Sequence, residues 1–339
     1  MKRAIRLSVF LVVLLCVTTL GAAAEGQVES TDGEQESLVL RLAELNPEQD
    51  PVTQAFYEFS EIVAERSDGR IDVRVFPSGQ LGPQTEVLQA LQTGAIDITR
   101  ANPANLRDLG IEKIGVFSLP YIFEDSDHAW RVIQGDVGDE ILSAIDDSSA
   151  RLVGLNFMLA SPRSFFFRNA EVTSVSDMQG LKLRVPNADI YLEMVEALGA
   201  SPTPIAYSEL YSALQTGVVD GAENPIKGYF NNNFYEVADH YTFNRHMLEP
   251  TPMVVSKVTW DRLSDGDKEI LYSAAQEASE FYRDELASVE EEYMTQLRDR
   301  GVEFHQVDNP SEWVEAVQPL YEKYGAGNEQ LIEDIMSLR

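Results

Sequence analysis

Glu86-Val-Leu-Gln-Ala-Leu-Gln-Thr-Gly-Ala-Ile-Asp97 and Glu209-Leu-Tyr-Ser-Ala-Leu-Gln-Thr-Gly-Val-Val-Asp220 are two copies of one pattern. Ala90 and Ala213, Leu91 and Leu214, Gln92 and Gln215, Thr93 and Thr216, and Gly94 and Gly217 coincide in register. Each copy reads as a helix closed by a glycine just past its last turn, where a left-handed residue satisfies the final carbonyls. A short buried strand follows. Two unrelated helix stops of similar composition are the plain alternative. The agreement across both helix and strand favours two lobes of similar build. Two such lobes leave a cleft between them, and small ligands favour such interfaces.

The surroundings of the first copy fit this scheme. Leu38 to Ala43 reads as a first strand. Pro51 to Arg66 places Phe56, Phe59, Ile62 and Val63 at helical spacing and stops before Asp68-Gly69. Ile71 to Val75 has strict period two; a helix from about Pro83 to Gly94 and a strand from Ala95 to Thr99 follow. Strands alternating with helices imply βαβ units and a mostly parallel sheet. From Asp265 to Arg300 no proline intervenes, and the only glycine is Gly266 in the first turn. About 35 residues at 1.5 Å each give a helix of roughly 50 Å. One small lobe is narrower than that, so the helix is expected to cross both; two helices joined at an unmarked kink are the alternative.

The chain has 339 residues, enough for two domains. Its 26 Lys and Arg stand against 56 Asp and Glu, a net charge of −30, which repels phosphate backbones and disfavours nucleic-acid partners. Lys2, Arg3 and Arg6, an apolar run from Leu7 to Leu20, and Ala22-Ala23-Ala24 read as a secretory signal peptide over residues 1–24. An uncleaved anchor, or lipidation at Cys16 behind the bulky Leu15, is the alternative. Residues 25–37 read as a flexible leader. Cys16 is the only cysteine and leaves with the signal, so the mature chain has neither disulfide nor thiol chemistry.

Few catalytic motifs are available. His128, His240, His246 and His305 show no metal-ligand spacing, so no metal is expected. No P-loop, nucleophile elbow or dinucleotide fingerprint occurs, so no cofactor is expected. A carboxylate pair stays open among so many acids. The cations are more informative. In Leu181-Lys182-Leu183-Arg184-Val185-Pro186 the apolar residues share one strand face, while Lys182 and Arg184 share the other. Arg184 therefore sits near the carboxyl end of a strand, where open α/β sheets bind ligands. Arg163 follows the run Leu152 to Ala160, Asn224 precedes Pro225, and Arg100 ends the matching strand of the first half. A guanidinium fork suits a carboxylate.

Longer motifs carry a resemblance. They are Gly180-Leu-Lys-Leu-Arg-Val-Pro-Asn187, Ala197-Leu-Gly-Ala-Ser-Pro-Thr-Pro204, Ser208-Glu-Leu-Tyr-Ser-Ala-Leu-Gln-Thr-Gly217 and Val219-Asp-Gly-Ala-Glu-Asn-Pro225. Gly79-Gln-Leu-Gly82, Gly94-Ala-Ile-Asp97 and Leu119-Pro-Tyr121 accompany them in the first half. Together they resemble the solute-binding subunits of TRAP transporters of the DctP type over about residues 38–325. The resemblance implies an α/β, two-lobe periplasmic binding protein-like type II fold with the long helix spanning both lobes. Lobe I would take residues 38–160 with a return segment at about 246–285, and lobe II residues 161–245 with a C-terminal segment at about 286–339.

It further implies a carboxylate clamp at Arg184, a second ligand arginine at Arg163, an amide ligand at Asn224 and an aromatic stacking on the ligand at Tyr207. Asn102, Asn105 and Glu44 match positions that vary with substrate. Arg100, in Asp97-Ile-Thr-Arg, resembles the branch that takes sugar acids such as uronates. The expectation is a monomeric, periplasmic, non-enzymatic binder. It would capture a small organic acid, a hexuronate by preference, and hand it to TRAP membrane permease subunits. A secreted carbohydrate-acting hydrolase using a carboxylate pair and a ligand-loaded receptor for a sensor kinase are the alternatives.

Overall fold

The computed structural model describes residues 37–339; the expected signal peptide over residues 1–24 and the expected leader up to residue 36 lie outside the described residues. Eleven strands form two sheets. The first contains β1 (Leu38–Ala43), β2 (Ile71–Phe76), β3 (Ile98–Arg100), β4 (Leu152–Leu159) and β10 (Pro250–Ser256), in the order β2-β1-β3-β10-β4. The second contains β5 (Arg163–Phe167), β6 (Lys182–Val185), β7 (Ser201–Pro204), β8 (Gly221–Asn224), β9 (His240–Met247) and β11 (Glu303–Gln306), in the order β11-β9-β5-β8-β6-β7. Helices α1 (Pro51–Arg66), α2 (Gln84–Thr93), α3 (Pro103–Asp108), α4 (Ser126–Ile133) and α5 (Asp136–Asp146) belong to the first half of the chain. Helices α6 (Asp189–Ala197), α7 (Leu210–Thr216) and α8 (Ile226–Asn231) connect strands of the second sheet. After β10 come α9 (Lys257–Trp260), α10 (Asp265–Asp299), α11 (Pro310–Ala316), α12 (Gln318–Tyr324) and α13 (Glu329–Ser337).

The sheets are mixed rather than mostly parallel. β1 pairs in parallel with β2 and β3, and β6 with β7 and β8. β10 runs antiparallel to β3 and β4, and β5 antiparallel to β8 and β9. The antiparallel strands are those that pass from one lobe to the other. A chain arriving from the neighbouring lobe enters at the end where local strands finish, so it must run against them. Leu159 lies opposite Pro250 and Arg163 opposite Met247, so the two strand crossings lie side by side at 160–162 and 248–249.

The two repeat copies close their helices identically. Gly94 and Gly217 take φ of 75° and 74°. Ala95 N–H donates to Ala90 O at 2.9 Å, and Val218 N–H to Ala213 O at 2.9 Å, the long closing bond of a Schellman motif. Residues just past each glycine are used by this closure. The first strand therefore begins later than expected, at Ile98 rather than Ala95, and the second begins at Gly221, four residues past its glycine.

Helix α10 runs unbroken for 35 residues, capped by the Ser264 hydroxyl, which accepts from Asp267 N–H at 3.1 Å. Its Leu271, Ala274, Ala275 and Ala278 are buried in the core with Phe56 and Phe59 of α1. Further along, Tyr293 stacks on Phe230 of the second lobe at 4.3 Å, and Leu297 joins that lobe's core. The helix thus spans both lobes. The last helix differs from its expected place with lobe II: His128 Nε2 of α4 hydrogen-bonds Ile335 O at 2.7 Å, and Arg131 Nε donates to Leu338 O at 3.0 Å. These carbonyls at the end of α13 find donors on α4, so α13 covers the first lobe.

Gly94 and Gly217 offer a matched pair for mutagenesis. An alanine pays about 1–2 kcal/mol for the left-handed conformation at either site. A Cβ at Gly94 would meet Val258 Cγ1 at 2.9 Å and Val258 Cβ at 3.0 Å, a branched side chain with little freedom. At Gly217 it would meet only the Arg168 guanidinium tip at 2.7 Å, which can swing away. Gly94→Ala is expected to lower the denaturation midpoint more than Gly217→Ala; equal or reversed effects in urea titrations would contradict this packing.

Candidate functional site

Between the lobes lies a cavity of about 160 Å³. Arg100, Asn102, Asn105, Arg163, Arg184, Tyr207 and Asn224 all line it, while Glu44 does not and instead stands behind Arg100. Lobe I supplies Arg100 from the end of β3 and Asn102 and Asn105 from the start of α3. Lobe II supplies Arg163 from the start of β5, Arg184 from β6, Asn224 from the end of β8 and Tyr207 from a short 3-10 turn.

Alternation along β6 explains Arg184. Leu183 and Val185 are fully buried in the core, so Arg184 between them points to the opposite face, yet it is only 3% exposed. Its Nε donates to Ile205 O at 2.9 Å, and its guanidinium lies 5.5 Å from the Tyr207 ring centroid. No carboxylate pairs with it among the described residues. Burial pulls its pKa down to about 10; the charge of Glu223, which forms no ion pair with it, offsets part of that, and the like charge of Arg163 adds to it. A buried cation in this condition gains from any anion that enters.

The other three cations of the cavity are already neutralised. Arg100 Nη2 and Nε reach Glu44 at 3.1 and 3.3 Å, and Glu44 also accepts from Asn46 N–H at 2.9 Å. Burial alone would raise Glu44, but Arg100 and the Asn46 bonds outweigh it and hold the carboxyl low. Lys227 Nζ binds Asp50 at 2.9 Å, joining α8 of lobe II to the residue that caps α1 in lobe I. Arg163 spends its fork on Glu223, with Nε to Oε2 at 2.5 Å and Nη2 to Oε1 at 2.8 Å. Only Nη1 stays unspent, 4.0 Å from Glu249. Despite complete burial, which opposes ionisation, Arg163 and His246 hold Glu223 down to about 2.

Polar side chains cross the cleft. Asn102 accepts from Ala104 N–H at 2.9 Å as the cap of α3, and its Nδ2 donates to Tyr191 Oη at 2.8 Å and to Glu249 at 3.1 Å. Asn105 Nδ2 donates to Asn187 O at 2.9 Å. Tyr207 Oη accepts from Asn232 at 3.0 Å and Asn224 at 3.4 Å, and its ring meets Phe234 edge-on at 5.8 Å. Gly228 is small for this reason: a Cβ there would sit 2.2 Å from Asn224 Oδ1.

Sequence reasoning missed Glu249, Glu223, Tyr191, Thr251 and the Lys227–Asp50 pair. Glu223 was the most findable, since it sits inside the quoted Glu-Asn-Pro segment, and a glutamate within a buried strand demands a cation. Glu249 lies on the second strand crossing, where neither sheet's alternation applies. It is the one carboxylate lining the cavity among the described residues. Ser118 donates to its Oε1 at 2.8 Å, Tyr191 and Asn102 bond its Oε2, and burial raises its pKa. A hydrolase would need two available carboxyl groups facing one another; the cavity lining offers one, with both oxygens engaged.

The family described as bacterial extracellular solute-binding protein, family 7 (DctP), matches residues 42–328. The C4-dicarboxylate-binding periplasmic protein DctP of Rhodobacter capsulatus is 31% identical over 307 residues, 90% of this chain and 91% of its own. A TRAP periplasmic solute binding protein from Pseudomonas putida F1 with bound D-glucuronate superimposes with a TM-score of 0.85 at 32% identity, covering 88% of this chain and 96% of that one. Another, from Xanthobacter autotrophicus Py2 with bound β-D-galacturonate, gives a TM-score of 0.85 at 29% identity, covering 88% and 100%.

Glu223 gives the site a measurable acid response. Its folded pKa of about 2 lies below the ordinary value of 4.5, so the stability it confers is complete above that value and lost as pH falls toward 2. Glu223→Gln leaves Arg163 buried without its counter-charge, a loss of about 3–5 kcal/mol near neutrality. The gap in Tm between wild type and variant is expected to be wide at pH 6 and to narrow steadily below pH 4.5. A gap that stays constant down to pH 3 would show that the charge of Glu223 is not what stabilises the pair.

Proposed function

We propose, from the premise that this chain belongs to the DctP family of bacterial extracellular solute-binding proteins, that it captures a sugar acid, hexuronates first, with Arg184 taking the carboxylate. It is a TRAP solute-binding protein, a binder rather than an enzyme, that takes small acid ligands and works with membrane permease subunits. Export to the periplasm by cleavage of residues 1–24, and action as a monomer, complete the proposal.

The observation that carries the ligand assignment is that, among the described residues, Arg184 is the one guanidinium of the cavity with no carboxylate in direct ion-pair contact. A ligand carboxylate supplies the missing charge through two parallel hydrogen bonds to the free nitrogens of Arg184. Beside apolar residues such as Leu45 and Ile205, both lobes add polar side chains to the lining: Asn102, Asn105 and Thr251 on one side, Asn224 and Tyr207 on the other. Such a wall suits several hydroxyls better than a short aliphatic chain, since each unpaired buried polar group costs about 1–3 kcal/mol. The relatives solved with glucuronate and galacturonate support the same class. A bound acid touching both lobes favours their closed arrangement through its differential contacts.

Calorimetry tests this directly. D-glucuronate and D-galacturonate are expected to bind, and Arg184→Ala to lose roughly 2–5 kcal/mol, about thirtyfold to several thousandfold in Kd. Arg184→Lys should recover only part of that, because a single ammonium offers no planar fork. Binding of dicarboxylates or branched keto acids with no binding of aldonates or uronates would overturn the ligand class. Unchanged affinity in a folded Arg184→Ala protein would remove the clamp.

A further inference from the structure

Far from the cleft, β9 and β11 form a parallel pair at the edge of the second sheet, with Glu303 opposite His240 and His305 opposite Thr242. Residues two apart on a strand share a face, so Glu303 and His305 stand beside His240 on one side of the sheet. His240 Nδ1 and His305 Nε2 are 3.1 Å apart, and Glu303 Oε2 is 3.9 Å from His240 Nδ1. The three ligand atoms lie within 4.8 Å of one another. The rings are largely shielded, with side chains 17% and 10% exposed, while Glu303 is 63% exposed and leaves an entry from solvent.

The outer nitrogens of both rings face carboxylates. Glu171 Oε1 is 3.5 Å from His305 Nδ1, and Asp239 Oδ1 is 3.8 Å from His240 Nε2. At these distances the attraction is one of charge rather than a hydrogen bond; it favours the proton on the outer nitrogen and leaves the inner one as a lone pair, the tautomer that outer carboxylates set in metal-binding histidines. If both rings respond so, two lone pairs face each other at 3.1 Å with a third donor alongside. That arrangement is repulsive unless a cation lies between them.

We propose that His240, His305 and Glu303 bind one late first-row divalent cation of the zinc, nickel or copper class, open to water at its remaining positions. With metal–nitrogen bonds of 2.0–2.1 Å, nitrogens 3.1 Å apart subtend roughly 100° at the ion, between the octahedral and tetrahedral angles. Imidazole nitrogens select this class over magnesium and calcium, which prefer oxygen alone. The ion would fasten β11, which receives the chain as it leaves α10, to β9. The ring planes are within 15° of parallel, and a turn of either ring brings both lone pairs onto one ion. A single shared proton is the competing occupant of the same gap.

The full chain, stripped with a chelator, is titrated with Zn²⁺ and separately with Ni²⁺ in the presence of millimolar Mg²⁺, which occupies the acidic surface. One equivalent is expected to bind and to raise Tm as the metal concentration rises. His305→Ala and Glu303→Gln should each lose at least tenfold in affinity, and Glu171→Gln, acting only through His305, on the order of tenfold. Sugar-acid binding should be unchanged in all three, which keeps this test separate from that of the cleft. Should His305→Ala fail to fold, the exposed Glu303 and Glu171 variants carry the comparison. No saturable one-to-one binding above the Mg²⁺ background, or variants that bind like wild type, would overturn the site and leave the rings sharing a proton.

Discussion

A buried guanidinium without a carboxylate in ion-pair contact is the constraint on which the cleft depends. Arg184 is held by strand alternation, by the Ile205 carbonyl and by the Tyr207 ring, none of which cancels its charge. Such a group costs several kcal/mol of desolvation, and the rest of the site limits that cost to one position. Arg100, Arg163 and Lys227 each have a carboxylate within 3.1 Å, at Glu44, Glu223 and Asp50. These pairs keep the walls polar and rigid without adding attraction for an anion. Under the proposed clamp, specificity for one carboxylate would arise from pairing all the cations but one. The net charge of −30 repels anions at long range, so this unpaired group must act at contact distance.

Placing that group requires two lobes that meet. Strand crossings at 160–162 and 248–249 lie side by side, and α10 gives a third connection that packs on both lobes. Polar contacts across the cleft include Lys227 to Asp50, Asn105 to the Asn187 carbonyl, Asn102 to Tyr191 and Gln49 to the Asn231 carbonyl. Each is worth about 0.5–1.5 kcal/mol net when neutral, somewhat more when charged. A ligand that adds a comparable set of bonds can therefore shift the balance between open and closed forms. Glu249, on the second crossing, bonds Ser118 and Asn102 of lobe I and Tyr191 of lobe II, so the hinge and the cavity wall share a residue.

Local signals in the chain reached most of the architecture. The repeated helix stops predicted two left-handed glycines, and both occur with the same closing bond. Uninterrupted periodicity predicted the helix from Asp265 onward. Strand direction was illegible, because it is decided by which strands return from the other lobe. The same holds for α13, whose partner on α4 is 207 residues away. At the cleft, alternation in Leu-Lys-Leu-Arg-Val pointed Arg184 away from the core. What no spacing could reveal was pairing. Arg163 and Arg184 look alike in sequence, but Glu223, 60 residues on, pairs with Arg163, while among the described residues no carboxylate forms an ion pair with Arg184. His240 and His305, 65 residues apart, were likewise invisible to a search for metal spacing.

The central claim is that ligand binding completes the ion pair that Arg184 lacks. A crystal structure with D-glucuronate or D-galacturonate measures this most directly. Both carboxylate oxygens are expected within about 2.7–2.9 Å of the Arg184 terminal nitrogens, with the Arg163–Glu223 fork undisturbed. A ligand carboxylate seated on Arg163 with Glu223 displaced, or on Arg100 in the other lobe, would contradict it.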